Sequence, residues 1–89
     1  EALELARQGI LPAGMYRNRT FAEPGVEAGD IELARQDLLY DPQTAGGLLM
    51  AVAAKDADAL FAELKTTVPS AQRIGTVAEY RGGKRIFLR

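Results

Sequence analysis

The residues best suited to recognising a ligand lie in a short polar turn, Asp-Pro-Gln-Thr-Ala-Gly-Gly, at positions 41–47. Pro42 fixes its own φ angle, whereas Gly46 and Gly47 permit torsions and close approaches that a β-carbon forbids. Between Pro42 and the two glycines lie one amide and one hydroxyl side chain, and both can hydrogen-bond to a ligand, a partner or another part of a larger protein. These groups belong to Gln43 and Thr44. The sequence therefore predicts a binding turn of locally determined shape.

A plainer interpretation of the same turn remains open. Pro42 would end a helix, the glycines would reverse the chain, and Thr44 would satisfy backbone groups. The segment is not a phosphate-binding P-loop, because that motif needs Lys and then Ser or Thr after its last glycine. Leu48 and Leu49 occupy those places.

Asn18 is a second candidate, because it stands between Arg17 and Arg19 in a polar stretch. Such a trio can face a phosphate or a carboxylate, although the sequence alone favours a surface connection. The acidic residues near the turn fall at helix-end and surface spacings rather than as a facing catalytic pair. They are Asp30, Glu32, Asp37 and Asp41. We predict no catalytic residue and no metal ligand in this chain.

Composition excludes several classes of function. The chain has 89 residues, no Cys and no His, which removes thiol nucleophiles, disulfides, Ser-His triads and the usual zinc ligand sets. Its net charge of -1 and mixed charges predict that it binds neither nucleic acid nor a membrane. The basic residues near the C-terminus suit a solvated hairpin edge. A cytoplasmic location is compatible with the lack of cysteine.

Patterning predicts a small α+β domain over residues 1–89, in which helices cover a small mixed β-sheet. Residues 1–8 resemble the end of a helix capped by Gly9, and Asp30 is predicted to cap a helix that ends before Pro42. Asp56 is predicted to cap another, with apolar residues at helical spacing and an exit at Val68-Pro69. The chain starts without an initiator Met, so we expect an artificial or processed boundary at Glu1.

Alternation and turn residues predict the structure of the other segments. Residues 15–21 are predicted to be an extended piece or a loop, and residues 22–29 a flexible turn. The apolar run 48–53 is predicted to be a central strand. Residues 73–80 and 86–88 are predicted to be two strands of a hairpin joined by Gly82-Gly83.

The segment Asp41–Val52 closely resembles a segment of the C-terminal domain of selenophosphate synthetase, also called selenide, water dikinase. The stretch Leu5–Gly14, followed by Arg17-Asn18, is similar to that family's upstream stretch. The closing Ile74–Val77 and Gly82-Gly83 also fit. Ala13 and Ala45 depart from the common Gly and Ser, so no ligand role is carried over to position 45.

This resemblance implies a partial C-terminal domain of the AIR-synthase-related (PurM-like) superfamily. The whole enzyme would make selenophosphate from selenide, ATP and water with Mg²⁺, as a homodimer of two-domain subunits. An N-terminal ATP-binding domain would carry the reactive Cys or selenocysteine, the Lys and the metal ligands. This chain would be scaffold and active-site wall, inactive alone and without tight binding of ATP or Mg²⁺. Its contact residues would be Gln43, Thr44, Gly46 and Gly47, with Asn18 and Arg19 as secondary candidates.

Two alternatives remain open from the sequence. One is a self-standing α+β module for ligand sensing or oligomerisation, in which the turn is only structural. The other is the equivalent domain of a related ATP-dependent synthetase of purine or thiamine biosynthesis.

Overall fold

The computed structural model of the chain describes residues 1–89 and contains four α-helices and one small sheet. The elements in chain order are α1 (Ala2–Arg7), α2 (Ala13–Ala22), a 3-10 turn (Glu23–Gly25), β1 (Val26–Glu27), α3 (Leu33–Leu39), α4 (Ala54–Thr67) and β2 (Ile86–Phe87). The predicted combination of helices with a small sheet is confirmed at this level. The sheet consists of two parallel strands rather than a larger mixed set.

The chain divides into two compact units. The first comprises Glu1–Gly46 with Tyr80–Arg89, and the second comprises Gly47–Glu79. In neither unit is any helix long and apolar enough to cross a membrane.

Helix α1 ends as its sequence predicts. Gly9 has a φ angle of 76°, a conformation that is accessible to glycine because it lacks a β-carbon. The amide of Gly9 donates to the carbonyl of Ala6 at 3.0 Å, and that of Ile10 donates to the carbonyl of Leu5 at 2.9 Å. This pair of bonds is a Schellman motif, which satisfies two carbonyls at the helix end.

Helix α2 corrects the prediction of a loop or extended piece at residues 15–21. Pro12 lies at the N-cap with φ -68° and ψ 145°, just outside the helix, so its ring clashes with no earlier turn. Met15 inside this helix is completely buried. The Pro-Ala-Gly sequence therefore starts a helix instead of preventing one.

The core of the first unit is small. Its buried apolar residues are Ala6, Met15 and Ala34, one from each of α1, α2 and α3, and Met15 is the only one of them that is fully buried. The buried carboxylate of Asp37 on α3 forms an ion pair with Arg19 of α2, so no charge is left unpaired inside. At the surface, Arg7 of α1 donates to both carboxylate oxygens of Glu32, at 2.8 and 3.1 Å.

Residues 22–29 are partly regular, which corrects the prediction of a flexible turn. After the 3-10 turn, Val26 and Glu27 pair in register with Ile86 and Phe87. The amide of Arg85 donates to the carbonyl of Gly25, and that of Leu88 to the carbonyl of Glu27, both at 2.8 Å. The strand predicted at 86–88 is confirmed as β2, but its partner is β1.

Helix α3 is confirmed, but the predicted cap at Asp30 is wrong. The N-cap is Glu32, and its carbonyl accepts the amides of Arg35 and Gln36. Asp30 lies in a preceding turn and does not reach the helix because residues 28–31 form a separate bend, with Ile31 donating to Ala28.

In the second unit, α4 is confirmed and its predicted cap at Asp56 is wrong. The N-cap is Ala53, which places Asp56 inside the first turn. There its negative charge interacts favourably with the positive end of the helix dipole. At the other end, the Lys65 ammonium donates to the carbonyls of Pro69 and Ala71, at 2.5 and 3.1 Å. The helix exits at Val68, as predicted.

The predicted strands at 48–53 and 73–80 are wrong. Both segments are irregular, and neither joins a sheet. Leu48 is 91% exposed and Val77 is 89% exposed. An apolar pattern reports suitability for a sheet, but a strand forms only where a neighbouring backbone accepts and donates its hydrogen bonds. Gly82 and Gly83 do lie in a bend and have positive φ angles, but the segments before and after them do not pair as a hairpin.

The contact between Arg7 and Glu32 predicts a pH dependence. The hydrogen bond from Arg7 holds the pKa of the Glu32 carboxyl below its ordinary value of 4.5. The ion pair therefore stabilises the fold fully above that value, and this contribution is lost as the pH falls through the lowered pKa. We expect Glu32→Gln to lower the melting temperature at pH 7 and to have a smaller effect at acid pH, where wild-type Glu32 is protonated.

Thermal melts of both proteins across this pH range check the expectation. Glu79→Gln is the matched control, since Glu79 is exposed and has no ion-pair partner. An equal effect of Glu32→Gln at all pH values would contradict the assignment.

Candidate functional site

The turn at residues 41–47 lies at the surface immediately after α3. The amide of Asp41 donates to the carbonyl of Leu38 at 3.4 Å, which continues the helix end by one residue. The amide of Gln43 then donates back to the carbonyl of Asp41 at 2.8 Å, so the chain bends tightly around Pro42. Every residue from 42 to 47 is exposed. Gly46 ends the first unit and Gly47 begins the second.

Pro42 rests on the first turn of α2 at Gly14. A β-carbon at Gly14 would lie 3.0 Å from Cγ and 3.3 Å from Cβ of Pro42, which is closer than ordinary contact. The absence of a side chain at position 14 therefore allows the proline ring to approach the helix. This contact links two segments that lie 28 positions apart in the sequence.

Asn18, one turn further along α2, holds the residue that precedes the loop. Its side-chain amide donates to the backbone carbonyl of Tyr40 at 2.9 Å. Partial burial, followed by the charge of Glu23, raises the pKa of the Tyr40 phenol. The structure thus places Asn18 beside the start of the loop, where its NH₂ group orients the backbone.

The polar side chains of the loop differ in their surroundings. The side chain of Gln43 folds over Gly46, since a β-carbon there would lie 2.5 Å from Oε1 and 3.2 Å from Cβ of Gln43. The Thr44 hydroxyl is exposed and makes no hydrogen bond within the chain. The amide of Gln43 and the hydroxyl of Thr44 thus both remain able to bind a ligand.

The guanidinium of Arg19 is already paired with a carboxylate inside the chain. Its guanidinium pairs with the Asp37 carboxylate, lies 4.0 Å from a carboxylate oxygen of Glu23, and sits 5.3 Å from the centre of the Tyr16 ring. Its role as a secondary contact residue is therefore weakened, because its charge already has a carboxylate partner inside the chain. Arg17 has no such partner and is exposed.

The chain offers no ligand set for a metal ion. No group of three acidic side chains comes together in an arrangement that could hold one. The arrangement around the loop is instead one of neutral donors and acceptors with a nearby guanidinium, which suits hydrogen bonding to a polar or anionic ligand.

Two residues that shape the loop were missed as site residues, namely Gly14 and Tyr40. Gly14 contributes the absence of a side chain and Tyr40 contributes a backbone carbonyl, so neither shows a chemical signal in the sequence. A glycine within the first turn of a helix costs stability relative to alanine, and this cost is the signal that could have marked position 14 as a close approach.

Comparison with known proteins gives several relatives named selenide, water dikinase. The chain is 51% identical over 65 residues to a selenide, water dikinase of Clostridioides difficile (strain 630), a match that covers 72% of this chain and 19% of that protein. It is 48% identical over 81 residues to that of Pelobacter propionicus, covering 89% of the chain and 23% of the protein. It is 37% identical over 89 residues to that of Clostridium botulinum (strain Eklund 17B), covering 99% and 26%.

These matches extend over most of the chain but only about a fifth to a quarter of each relative's length. No family model matches the chain. No solved structure matches it either.

The Asn18 contact predicts a local effect on the loop. Asn18→Asp replaces the donating NH₂ by a carboxylate oxygen, which cannot donate to the Tyr40 carbonyl. We expect the free energy of unfolding to fall by about 1 kcal/mol. Backbone amide shifts should change at residues 40–43, as measured by NMR. Asp30→Asn is the control, since the Asp30 side chain is exposed, lies outside residues 40–43 and makes no hydrogen bond or ion pair in the chain. Unchanged shifts at residues 40–43 in the Asn18 variant would refute the contact.

Proposed function

This chain belongs to the selenide, water dikinase family, and we propose that it is the part of the C-terminal domain that forms one wall of the nucleotide site. In the whole enzyme, ATP, selenide and water would give selenophosphate, AMP and phosphate. The loop at residues 41–47 would meet the nucleotide through Gln43, Thr44 and the backbone at Gly46 and Gly47. Asn18 would hold the loop in place.

The observation that carries this proposal is the exposure of the loop together with its bracing. Pro42 is set against Gly14, and the preceding carbonyl is held by Asn18. The hydroxyl of Thr44 is nevertheless free to bond outward. A binding group held on a fixed backbone loses less entropy on meeting its ligand than one on a mobile segment. This combination favours a recognition role over a purely structural turn.

The Mg²⁺ that the proposed reaction uses does not fit the acidic residues of this chain, since they form no cluster. We propose, as the resemblance to the family implies, that the metal ligands, the reactive Cys or selenocysteine and its Lys lie in the part of the relatives that this chain does not match. On this proposal the chain alone does not catalyse the reaction, and the assembled enzyme is a homodimer that includes an N-terminal ATP-binding domain.

The loop is tested in a chimaeric enzyme. The matched segment of the Clostridium botulinum protein is replaced by this chain, and Thr44→Ala and Gly46→Val are introduced. We expect Thr44→Ala to reduce kcat/KM for ATP by about tenfold, the effect of losing one hydrogen bond to a charged ligand. Gly46→Val should also reduce it, because a branched side chain there displaces the Gln43 side chain, one of the proposed contacts, from its place over Gly46. ATP consumption in the presence of selenide is the measurement.

Two matched substitutions serve as controls. Thr66→Ala alters an exposed threonine of α4, and Gly75→Val places a side chain where nothing lies within 4 Å. Both should retain the activity of the chimaera. Normal turnover and stability in both loop variants would show that the loop has no role at the nucleotide.

A further inference from the structure

Arg17 differs from the other arginines of the helices in having no internal partner. Arg7 binds Glu32, Arg19 binds Asp37, and Arg35 lies 4.0 Å from Glu32. Arg17 forms no ion pair, although its neighbours in sequence on α2 include the well-paired Arg19. Its charge is therefore available to a ligand from outside the chain.

The position of this guanidinium connects it to the loop. Its Nη2 atom lies 3.9 Å from the point that a β-carbon of Gly14 would occupy, and Cγ of Pro42 lies 3.0 Å from the same point. The free guanidinium of Arg17 and the Pro42 ring at the start of the loop therefore both lie within 4 Å of one point above α2. No acidic side chain forms an ion pair with Arg17 at this point.

The surface around Arg17 also has a defined character. A shallow hollow on α2 is lined by Tyr16, Arg17, Thr20 and Phe21. The Thr20 hydroxyl donates to the Tyr16 carbonyl at 2.9 Å, so its proton is not available to an anion. Arg17 is thus the cation of this hollow, which is open to solvent because Phe21 is 89% exposed and Tyr16 is 44% exposed.

We propose that Arg17 binds a phosphate group of the ligand that the loop at residues 41–47 recognises. The planar guanidinium donates two parallel hydrogen bonds to phosphate oxygens, a geometry that an ammonium does not reproduce. This inference rests on the proposed function, because it assumes that the loop faces a phosphate-bearing molecule. It adds a residue that selects for the anionic part, whereas Gln43 and Thr44 supply neutral contacts.

The test uses the same chimaeric enzyme and isothermal titration with three probes: a non-hydrolysable ATP analogue, inorganic phosphate and adenosine. Arg17→Ala should weaken binding of the ATP analogue by about tenfold, because a charge-assisted bond is lost. Arg17→Lys should recover only part of that loss. Adenosine, which has no phosphate, should bind equally to all variants. Circular dichroism should show unchanged folding, since Arg17 has no internal ion pair to lose.

Arg81→Ala is the matched control, because Arg81 is exposed and also unpaired. A loss confined to inorganic phosphate would assign Arg17 to free phosphate, and a loss for the ATP analogue would assign it to the nucleotide; either result supports phosphate recognition. Unchanged binding of both anionic probes, or an equal loss for adenosine, would overturn it.

Comparison with the loop variants separates this inference from the function on which it rests. Impaired Thr44→Ala with normal Arg17→Ala would leave the proposed function standing and refute the role of Arg17. Impaired Arg17→Ala with normal Thr44→Ala and Gly46→Val would support phosphate binding by Arg17 and contradict the role of the loop.

Discussion

The close approach of Pro42 to Gly14 is the constraint on which the rest of the site depends. It sets the rigid proline of the loop directly on α2, with no side chain between them. Asn18 follows four positions after Gly14, so both lie on one face of the helix and both act on the start of the loop. Met15 and Arg19 share the adjacent face, where they supply the buried side chain and the partner of Asp37.

Two neighbouring faces of helix α2 therefore have two different structural roles. One face contributes to the small core and pairs with the buried carboxylate of Asp37 on α3. The other face receives the chain as it leaves α3 and determines how it bends. Because both faces belong to one rigid helix, the position of the loop follows from the packing of α2 and α3.

Sequence reasoning predicted the chemical character of the loop better than the elements around it. Pro42 and the two glycines have local effects, so an exposed bend with polar side chains followed from residue types alone. Helix α2 was missed because Pro12 and Gly14 resemble helix breakers, although proline is tolerated just before the first turn. The runs 48–53 and 73–80 have strand-like patterns, but pairing depends on a partner that no local pattern specifies.

The local sequence also could not predict which polar residues of α2 bind a partner inside the chain and which remain free. Arg17 and Arg19 look equivalent in the sequence. Only the packing of α3 on α2 brings Asp37 to Arg19 and leaves Arg17 without a partner. Likewise, Asn18 was predicted as a contact residue, but its bond to the Tyr40 carbonyl depends on how α3 ends against α2. Such pairings arise from tertiary packing and are not encoded at any single position.

The most direct measurement is a crystal structure of the chimaeric enzyme with a bound non-hydrolysable ATP analogue. We expect the side chain of Gln43 or Thr44 to lie within hydrogen-bonding distance of the nucleotide, with Pro42 still resting on Gly14. A nucleotide bound well away from residues 41–47, or a loop detached from α2, would contradict it.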